Sequence, residues 1–374
     1  MPSSASLHSH AQIITSARTR RPISGLSLPP AFKLVSTRHL ALWLAWTISL
    51  SCPSFASSPI EQIRSSSGLP GLDLEKLKRG EIESVRGPLG NFPRGVYVED
   101  CFFVRAPLAI VGEKLLHWDT SRHPELEVSI FREYSRPAPP SVFDALALSS
   151  NRPKDKWLID HTWHTLRSGT PDELFVAASE IAIAKLPVQT SPDQRDAKVN
   201  EFWKKILASR DKAVASGGLK ALPRFQAGKI DISIRSEFDG LMKMTPRVAS
   251  HFQSLISAKP FSESGHSPDE VVPYWQETLV QGHTTLHAGF LAAMRRSTSW
   301  QVADCTYFTS DTYFMSVTLS ELFSIENGTL VWQIDFVSAP FRSYLGGTDR
   351  FFGGKEMIKG AAKSIRLFRA DVEK

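Results

Sequence analysis

The sequence predicts an α+β protein in which an antiparallel sheet is wrapped on a C-terminal helix and carries a large helical insertion. Residues 312–336 alternate apolar and polar side chains on both sides of Asn327-Gly328, a dipeptide that favours tight β-hairpin turns. A second apolar pattern, with helical spacing, runs from Met357 to Val372. Between residues 137 and 268 strand patterns almost vanish and helix-start patterns replace them.

Residues 1–56 are predicted to be a signal or targeting segment. Basic Lys33 and Arg38 precede an apolar run from Leu40 to Leu50, and Ser54-Phe55-Ala56 supplies the small residues that a signal peptidase recognises. The run is shorter than the ~20 residues that a membrane span needs. We therefore expect cleavage near Ala56, no stable transmembrane span afterwards, and export to the periplasm or the extracellular space. A retained anchor and an organelle transit peptide are the alternatives.

The charge of the chain gives no case for nucleic-acid binding. The 374 residues contain 44 Lys and Arg and 38 Asp and Glu, which is a formal charge of +6. Five of the basic residues and none of the acidic ones lie in residues 1–56, so 39 basic and 38 acidic residues remain after cleavage. A nearly neutral mature chain lacks the basic excess with which proteins bind phosphate backbones.

The first half of the mature chain divides into three parts. Residues 57–94 are Gly- and Pro-rich in places and predict a connector with a short helix at most. Residues 95–136 predict the first part of the α+β domain: a strand over 95–105, a helix that Pro107 opens, and a second strand near 126–130. Residues 137–268 predict the helical insertion, with helix starts at Thr170-Pro171-Asp172-Glu173, Ser191-Pro192-Asp193 and Thr245-Pro246.

Residues 269–374 predict the second part of the domain, an antiparallel meander and the terminal helix. Strand patterns occur in 274–294, 300–309 and 312–336. A two-residue Asn327-Gly328 turn predicts four cross-strand pairs. These are Ile325 with Leu330, Phe323 with Trp332, Glu321 with Ile334, and Leu319 with Phe336. The apolar faces of both strands then lie on one side, and we expect that side to pack beneath the terminal helix, on the stripe of Met357, Ala361, Ile365, Phe368 and Val372.

This order of elements resembles the START-type helix-grip superfamily, which includes lipid-transfer and polyketide-cyclase-like proteins. The residues that carry the resemblance are Val104-Arg105-Ala106-Pro107 at a strand-to-helix junction, Trp118-Asp119 near the following turn, and the closing meander and helix. It covers residues 95–134 and 274–374. The resemblance implies a curved sheet around the terminal helix, an apolar pocket, and a hydrophobic ligand or lipid as the partner.

Five residues of the hairpin are candidates for lining such a pocket: Tyr313, Glu321, Phe323, Trp332 and Phe336. Glu321 interrupts an otherwise apolar face, and a buried carboxylate needs a partner, a proton or a ligand. It can contact a ligand, pair with Arg or Lys from the insertion, or lie at an open rim. The four aromatic residues can line a pocket or form ordinary core.

No motif in the chain points to catalysis, a metal or a cofactor. His161 with His164, and His283 with His287, have metal-like spacing, but the sequence contains no His-Glu-x-x-His helix, phosphate loop or Gly-x-Ser-x-Gly elbow. Cys101 and Cys305 can form a disulfide after export or remain free buried thiols. Three functions stay open: a binder or carrier of a hydrophobic small molecule or lipid, a cell-envelope interaction or structural protein without a ligand cavity, and a hydrolase with a non-obvious site.

Overall fold

An eight-stranded antiparallel sheet forms the centre of the computed structural model, which describes residues 58–69, 71–171, 173–184, 191–340 and 348–374. The strands are β1 Ile82–Arg86, β2 Gly95–Val104, β3 Val128–Glu133, β6 Glu270–Val280, β7 His283–Arg295, β8 Ser299–Thr309, β9 Met315–Ile325 and β10 Gly328–Ser338, and a separate small hairpin comprises β4 Phe225–Ala227 and β5 Ile230–Ile232. The strand order in the large sheet is β1-β2-β10-β9-β8-β7-β6-β3. Strands that precede residues 137–268 and strands that follow them therefore build one sheet, as predicted.

Ten α-helices accompany the sheet in the described part of the chain. They are α1 Pro59–Ser66, α2 Leu74–Lys78, α3 Leu108–Leu116, α4 Pro153–Ser168, α5 Ala178–Ala184, α6 Arg195–Gly217, α7 Ile234–Met244, α8 Pro246–His251, α9 Gln253–Ile256 and α10 Thr348–Val372. None of them combines the length and the apolar character that crossing a membrane requires. The predicted signal segment, residues 1–56, lies outside the described residues.

The two faces of the sheet have different covers. The helices of residues 137–268 pack on one face, where Trp203 and Phe252 share a core with Leu319 and Trp332. Helices α3 and α10 pack on the other face. There Val111 from α3 and Ile365 and Phe368 from α10 form a smaller core with residues such as Phe102, Leu322 and Val331. The α+β class and the antiparallel sheet are thus confirmed.

The apolar face of the hairpin has a different cover from the one expected. Leu319 and the other odd-numbered residues of β9 face the helical insertion, as do Ile334 and the other even-numbered residues of β10. The apolar stripe of α10 packs on the opposite face. The alternation of β9 and β10 identified two faces correctly. It could not assign the cover of each face, because the insertion supplies a larger apolar surface than a single amphipathic helix does.

The register of the β9–β10 hairpin differs from the predicted register by two residues. Ile325 pairs with Gly328, and Trp332 pairs with Glu321 instead of Phe323. The loop consists of Glu326 and Asn327, with Asn327 in the left-handed conformation at φ 65°. Because side chains alternate with a period of two, this slip leaves the side chains within β9 and β10 on their predicted faces.

Two local expectations also differ from the structure. Residues 57–94 are more than a connector, because they contain α1, α2 and the edge strand β1, which pairs with β2. The sequence of β1 has few apolar residues and all its positions are half-buried, so it lacks the alternation that would reveal a strand. No helix opens at Thr170; the next helix in the described chain, α5, begins at Ala178.

Cys101 and Cys305 are free, buried thiols, which corrects the disulfide alternative. Cys101 lies on β2 and Cys305 on β8, and β10 and β9 lie between these strands. Three inter-strand spacings amount to roughly 14 Å, whereas bridged cysteines have Cα atoms within about 7 Å of each other. Burial also raises the pKa of both thiols, so neither is activated as a nucleophile.

Candidate functional site

A cavity of about 480 Å³ lies between the sheet and the helices α3 and α10. This volume is within the range of small-molecule sites, roughly 300–1,000 Å³. Its apolar lining comes mainly from the two helices, the segments that follow α3, and the flanking strands: Phe102, Leu115, Leu116, Trp118, Leu126, Val128, Phe131, Leu291, Val302, Met357, Ala361, Ile365 and Phe368. Its polar lining comes mainly from the central strands: Gln276, Thr278, Asp304, Thr306, Ser316, Thr318, Ser320, Gln333 and Asp335. The cavity therefore has a mainly apolar roof, to which Thr120 and Ser364 add polar groups, and a mainly polar floor, to which Val302 of β8 adds an apolar one.

The polar floor follows from strand register. Asp304 on β8 pairs with Thr318 on β9, and Thr318 pairs with Asp335 on β10, so these three residues form one row across the sheet. Their neighbours Leu319 and Ile334 point to the opposite face and join the core beneath the insertion. The same alternation that builds the apolar core on one side thus places hydroxyl, amide and carboxyl groups against the cavity on the other.

Neighbouring side chains hold both carboxyl groups of the floor in place. The hydroxyl of Tyr274 donates to Oδ1 of Asp304 at 2.7 Å. Thr318 Oγ1 donates to Oδ1 of Asp335 at 2.6 Å, and Gln333 Nε2 donates to its Oδ2 at 2.9 Å. These bonds fix the two carboxyl groups without supplying a positive charge.

Burial weakens the acidity of this floor. It raises the pKa of Asp304 to about 6, and the nearby Asp335 acts in the same direction. Burial also raises the pKa of Asp335 itself. Asp100, on the same face of β2, has its pKa raised to about 7 by burial and by the charge of Asp335. The cavity-lining residues of the described chain include no Lys, Arg or His, so no fixed cation stabilises these carboxylates.

Tyr313, one of the five predicted site residues, lies at the cavity. The preceding Thr312 adopts the left-handed conformation at φ 71°, and Tyr313 lies on the α10 side of the sheet instead of the odd-numbered apolar face. Its hydroxyl lies 3.0 Å from Nδ1 of His287. Burial lowers the pKa of His287 to about 4, so this imidazole is neutral near pH 7.

Phe336 follows the cavity-lining Asp335 along β10, but its ring is part of the insertion-side core and stacks on Tyr97 with centroids 5.4 Å apart. Phe323 and Trp332 are buried on the insertion side. Trp332 packs against Phe252, with ring centroids 5.7 Å apart. The structure therefore brings Tyr313 to the cavity, and places the rings of Phe323, Trp332 and Phe336 in the core on the insertion side.

Glu321 lies on the insertion side and pairs with a histidine. Its Oε2 contacts Nε2 of His251, the last residue of α8, and accepts a hydrogen bond from Gln301 Nε2 at 3.2 Å. Burial acts to raise the pKa of Glu321, but the hydrogen bond and charge of His251 outweigh it and lower the pKa. The carboxylate thus fastens the insertion to the sheet. The predicted partner in the insertion was Arg or Lys, and the observed partner is His.

The sequence reasoning missed the main polar residues of the cavity, Tyr274, Asp304, Gln333 and Asp335. A detectable pattern was present, because Asp304 and Asp335 lie inside long strands, Ser299–Thr309 and Gly328–Ser338. An aspartate at such a position costs free energy unless something compensates for it. Attention to the apolar face alone concealed this pattern.

One group of potential metal ligands occurs among the described residues, at the surface near the end of α3. Donor atoms of Glu113, His117 and Glu270 lie within 4.8 Å of one another. The guanidinium of Arg295 already binds both glutamates. His117 Nδ1 binds a further carboxylate, that of Glu133, at 2.8 Å. These charges compensate one another as a surface ion network.

Comparison with known proteins finds no matching family model, no matching curated protein and no matching solved structure.

Proposed function

We propose that this protein is an exported binder or carrier of an amphipathic small molecule or lipid, which it holds between the sheet and helices α3 and α10. The observation that carries the proposal is the cavity of about 480 Å³ with an apolar roof and a polar floor. The cavity is partly open to solvent, and a concave site of this volume with apolar walls and a few polar groups is typical of small-molecule binding sites.

The arrangement of α10 supports a helix-grip-like role. Its apolar stripe includes Met357 and Ala361, which line the cavity, and Ile365 and Phe368, which line it and also pack on the sheet. The C-terminal end of α10 is fastened firmly: Nε of Arg369 donates to the carbonyl oxygen of Phe103 at 2.8 Å. In the proposed mechanism, this fixed end anchors the helix while its preceding turns cover the ligand.

A second anchor holds the same end of the helix. Asp371 accepts hydrogen bonds from Trp118 Nε1 at 3.0 Å and pairs with His123 Nε2 at 2.8 Å. Burial opposes ionisation of Asp371, but the bonds from Trp118 and His123 outweigh it and hold its pKa well below the usual value. Trp118 itself lines the cavity, so the anchor and the proposed ligand share a residue.

The proposal is tested by filling the cavity from the helix side. The substitution Ala361→Trp places an indole in the cavity, and Lys359→Trp adds the same side chain on the exposed side of α10, where Lys359 is 81% exposed. Binding of the neutral fluorescent probe N-phenyl-1-naphthylamine is measured for both variants and the parent. We expect Ala361→Trp to weaken binding about tenfold or more and Lys359→Trp to leave it unchanged.

Native mass spectrometry of the protein purified from its own host supplies the independent measurement. A co-purifying small molecule that Ala361→Trp abolishes supports the carrier function. Equal probe binding by the parent and Ala361→Trp, or a parent that carries and binds nothing, contradicts it and favours a structural protein of the cell envelope.

A further inference from the structure

We propose that the ligand of the cavity is a cationic amphiphile, with its positively charged head on Asp304 and Asp335 and its apolar body beneath α3 and α10. This inference rests on the proposed function, because it names the ligand class of the same cavity. It is carried by the separation of the lining into an apolar roof and an acidic floor.

The two carboxyl groups are spaced to share one head group. They lie in one row of the sheet, on β8 and β10, with only Thr318 of β9 between them. Two inter-strand spacings place their Cα atoms about 10 Å apart, so a head group above Thr318 can approach both carboxylates. The hydroxyl, amide and phenol groups around them can accept or donate further hydrogen bonds to the head.

The charge of the lining discriminates among head groups. An anionic head would meet two carboxyl groups and, in the described lining, no Lys, Arg or His. A neutral head would leave the carboxylates without a counter-ion whenever they ionise. A protonated amine supplies the missing positive charge and forms charge-assisted hydrogen bonds, which are about twice as strong as neutral ones. The cation is therefore the head group that the floor selects.

Binding of a cation is expected to release protons. The pKa of Asp304 is about 6, so this carboxyl group is partly protonated in the empty protein near pH 6, and a bound amine favours its ionised form. The raised pKa of Asp335 acts in the same direction. The other titratable groups on this face are Tyr274 and Tyr313 near Asp304, and His287, which contacts the hydroxyl of Tyr313. Asp100 of β2 lies near Asp335, and Arg86 of β1 is in the same row as Asp335 with Val98 between them. The lining residues that α3 and α10 contribute carry no charge. Amine affinity should thus rise as the pH increases through about 6.

The experiment compares three probes that share a twelve-carbon chain and differ in the head group: dodecylamine, dodecanol and dodecanoic acid. Affinities are measured by calorimetry at pH 5 and pH 8 for the parent, Asp304→Asn and Asp335→Asn. Asp239→Asn is the matched control, because Asp239 is a half-exposed surface residue on α7, paired with Arg235. We expect dodecylamine to bind about tenfold more tightly than dodecanol at pH 8, and Asp304→Asn to remove that preference.

The outcomes separate this inference from the proposed function. Binding of dodecanol or dodecanoic acid as tight as that of dodecylamine refutes the cationic head and leaves the carrier function intact. The same holds if dodecylamine binds Asp304→Asn as tightly as it binds the parent. Failure of all three probes to bind contradicts both. Asparagine keeps a side-chain oxygen that accepts the hydrogen bond from Tyr274, so we expect Asp304→Asn to fold. Thermal unfolding curves of the variant verify that it does.

Discussion

Replacement of Asp304 by asparagine should stabilise the empty protein, in a manner that depends on pH. The folded-state pKa of Asp304 is about 6, against 3.8 for an ordinary aspartate, so the folded protein holds this proton more tightly than the unfolded chain does. Its contribution to stability consequently falls as the pH rises from about 4 to about 6. One pKa unit corresponds to about 1.4 kcal/mol, so the ionised group costs up to roughly 3 kcal/mol. Water that enters the cavity screens part of this cost, and we expect a gain of about 1–3 kcal/mol for Asp304→Asn at pH 8.

Urea denaturation of the parent and Asp304→Asn from pH 4 to pH 8 measures this difference in the free energy of unfolding. The two proteins should differ little at pH 4, where the carboxyl group is protonated in the folded state and about half-protonated in the unfolded chain, and should diverge as the pH rises towards 6. Asp239→Asn, at the surface, should show no such divergence. An Asp304→Asn variant that is less stable than the parent at pH 8, or a difference that is the same at both pH values, would refute the interpretation of the cavity floor.

Three further predictions concern other parts of the chain. Glu321→Ala should destabilise the protein by about 2–4 kcal/mol in urea denaturation, because it leaves His251 and Gln301 without their hydrogen-bond acceptor. The control Glu326→Ala, at an exposed position, should change stability by less than about 0.5 kcal/mol. Two thiols of the mature protein should react with a thiol reagent only after unfolding, and a protein without titratable thiols when denatured would contradict the free-cysteine assignment. Amino-terminal sequencing of the exported protein should begin near Ser57; an intact amino terminus upstream of Leu40 would show that no signal peptide is removed.

The sequence predicted the fold where local pattern and turn chemistry agreed. Alternation in β9 and β10 located both strands and sorted their side chains onto two faces. The turn residues predicted the register of the hairpin less well, because Asn327 occupies the second loop position and Gly328 begins β10. Gly328 is needed there for another reason: a Cβ at that position would lie 2.3 Å from the carbonyl oxygen of Val104 on the neighbouring strand. That contact between distant segments has no local trace in the sequence.

Local sequence patterns could not show which helices pack on each face of the sheet. Both the insertion and α10 present apolar stripes, and periodicity states only that a face is apolar, not which element buries it. Strand β1 was missed for a related reason, since an edge strand half-buried along its whole length has no alternation. The pairing of Glu321 with His251 joins residues 70 positions apart, so only the tertiary structure could show it.

The polar face of β8, β9 and β10 is the feature that favours the proposed binding site over a filled core. A filled core beneath α10 would be expected to carry apolar side chains on those strands, as the opposite face does. Instead, Asp304, Thr318 and Asp335 lie under an apolar roof, and the described lining offers no cation to the two carboxylates. Such an arrangement costs folding free energy unless water or a ligand compensates for the carboxyl groups. This polar row lowers the stability of the empty protein and complements the charge of a cationic ligand. The combination supports the proposed binding site, because binding residues are often kept at a cost in stability.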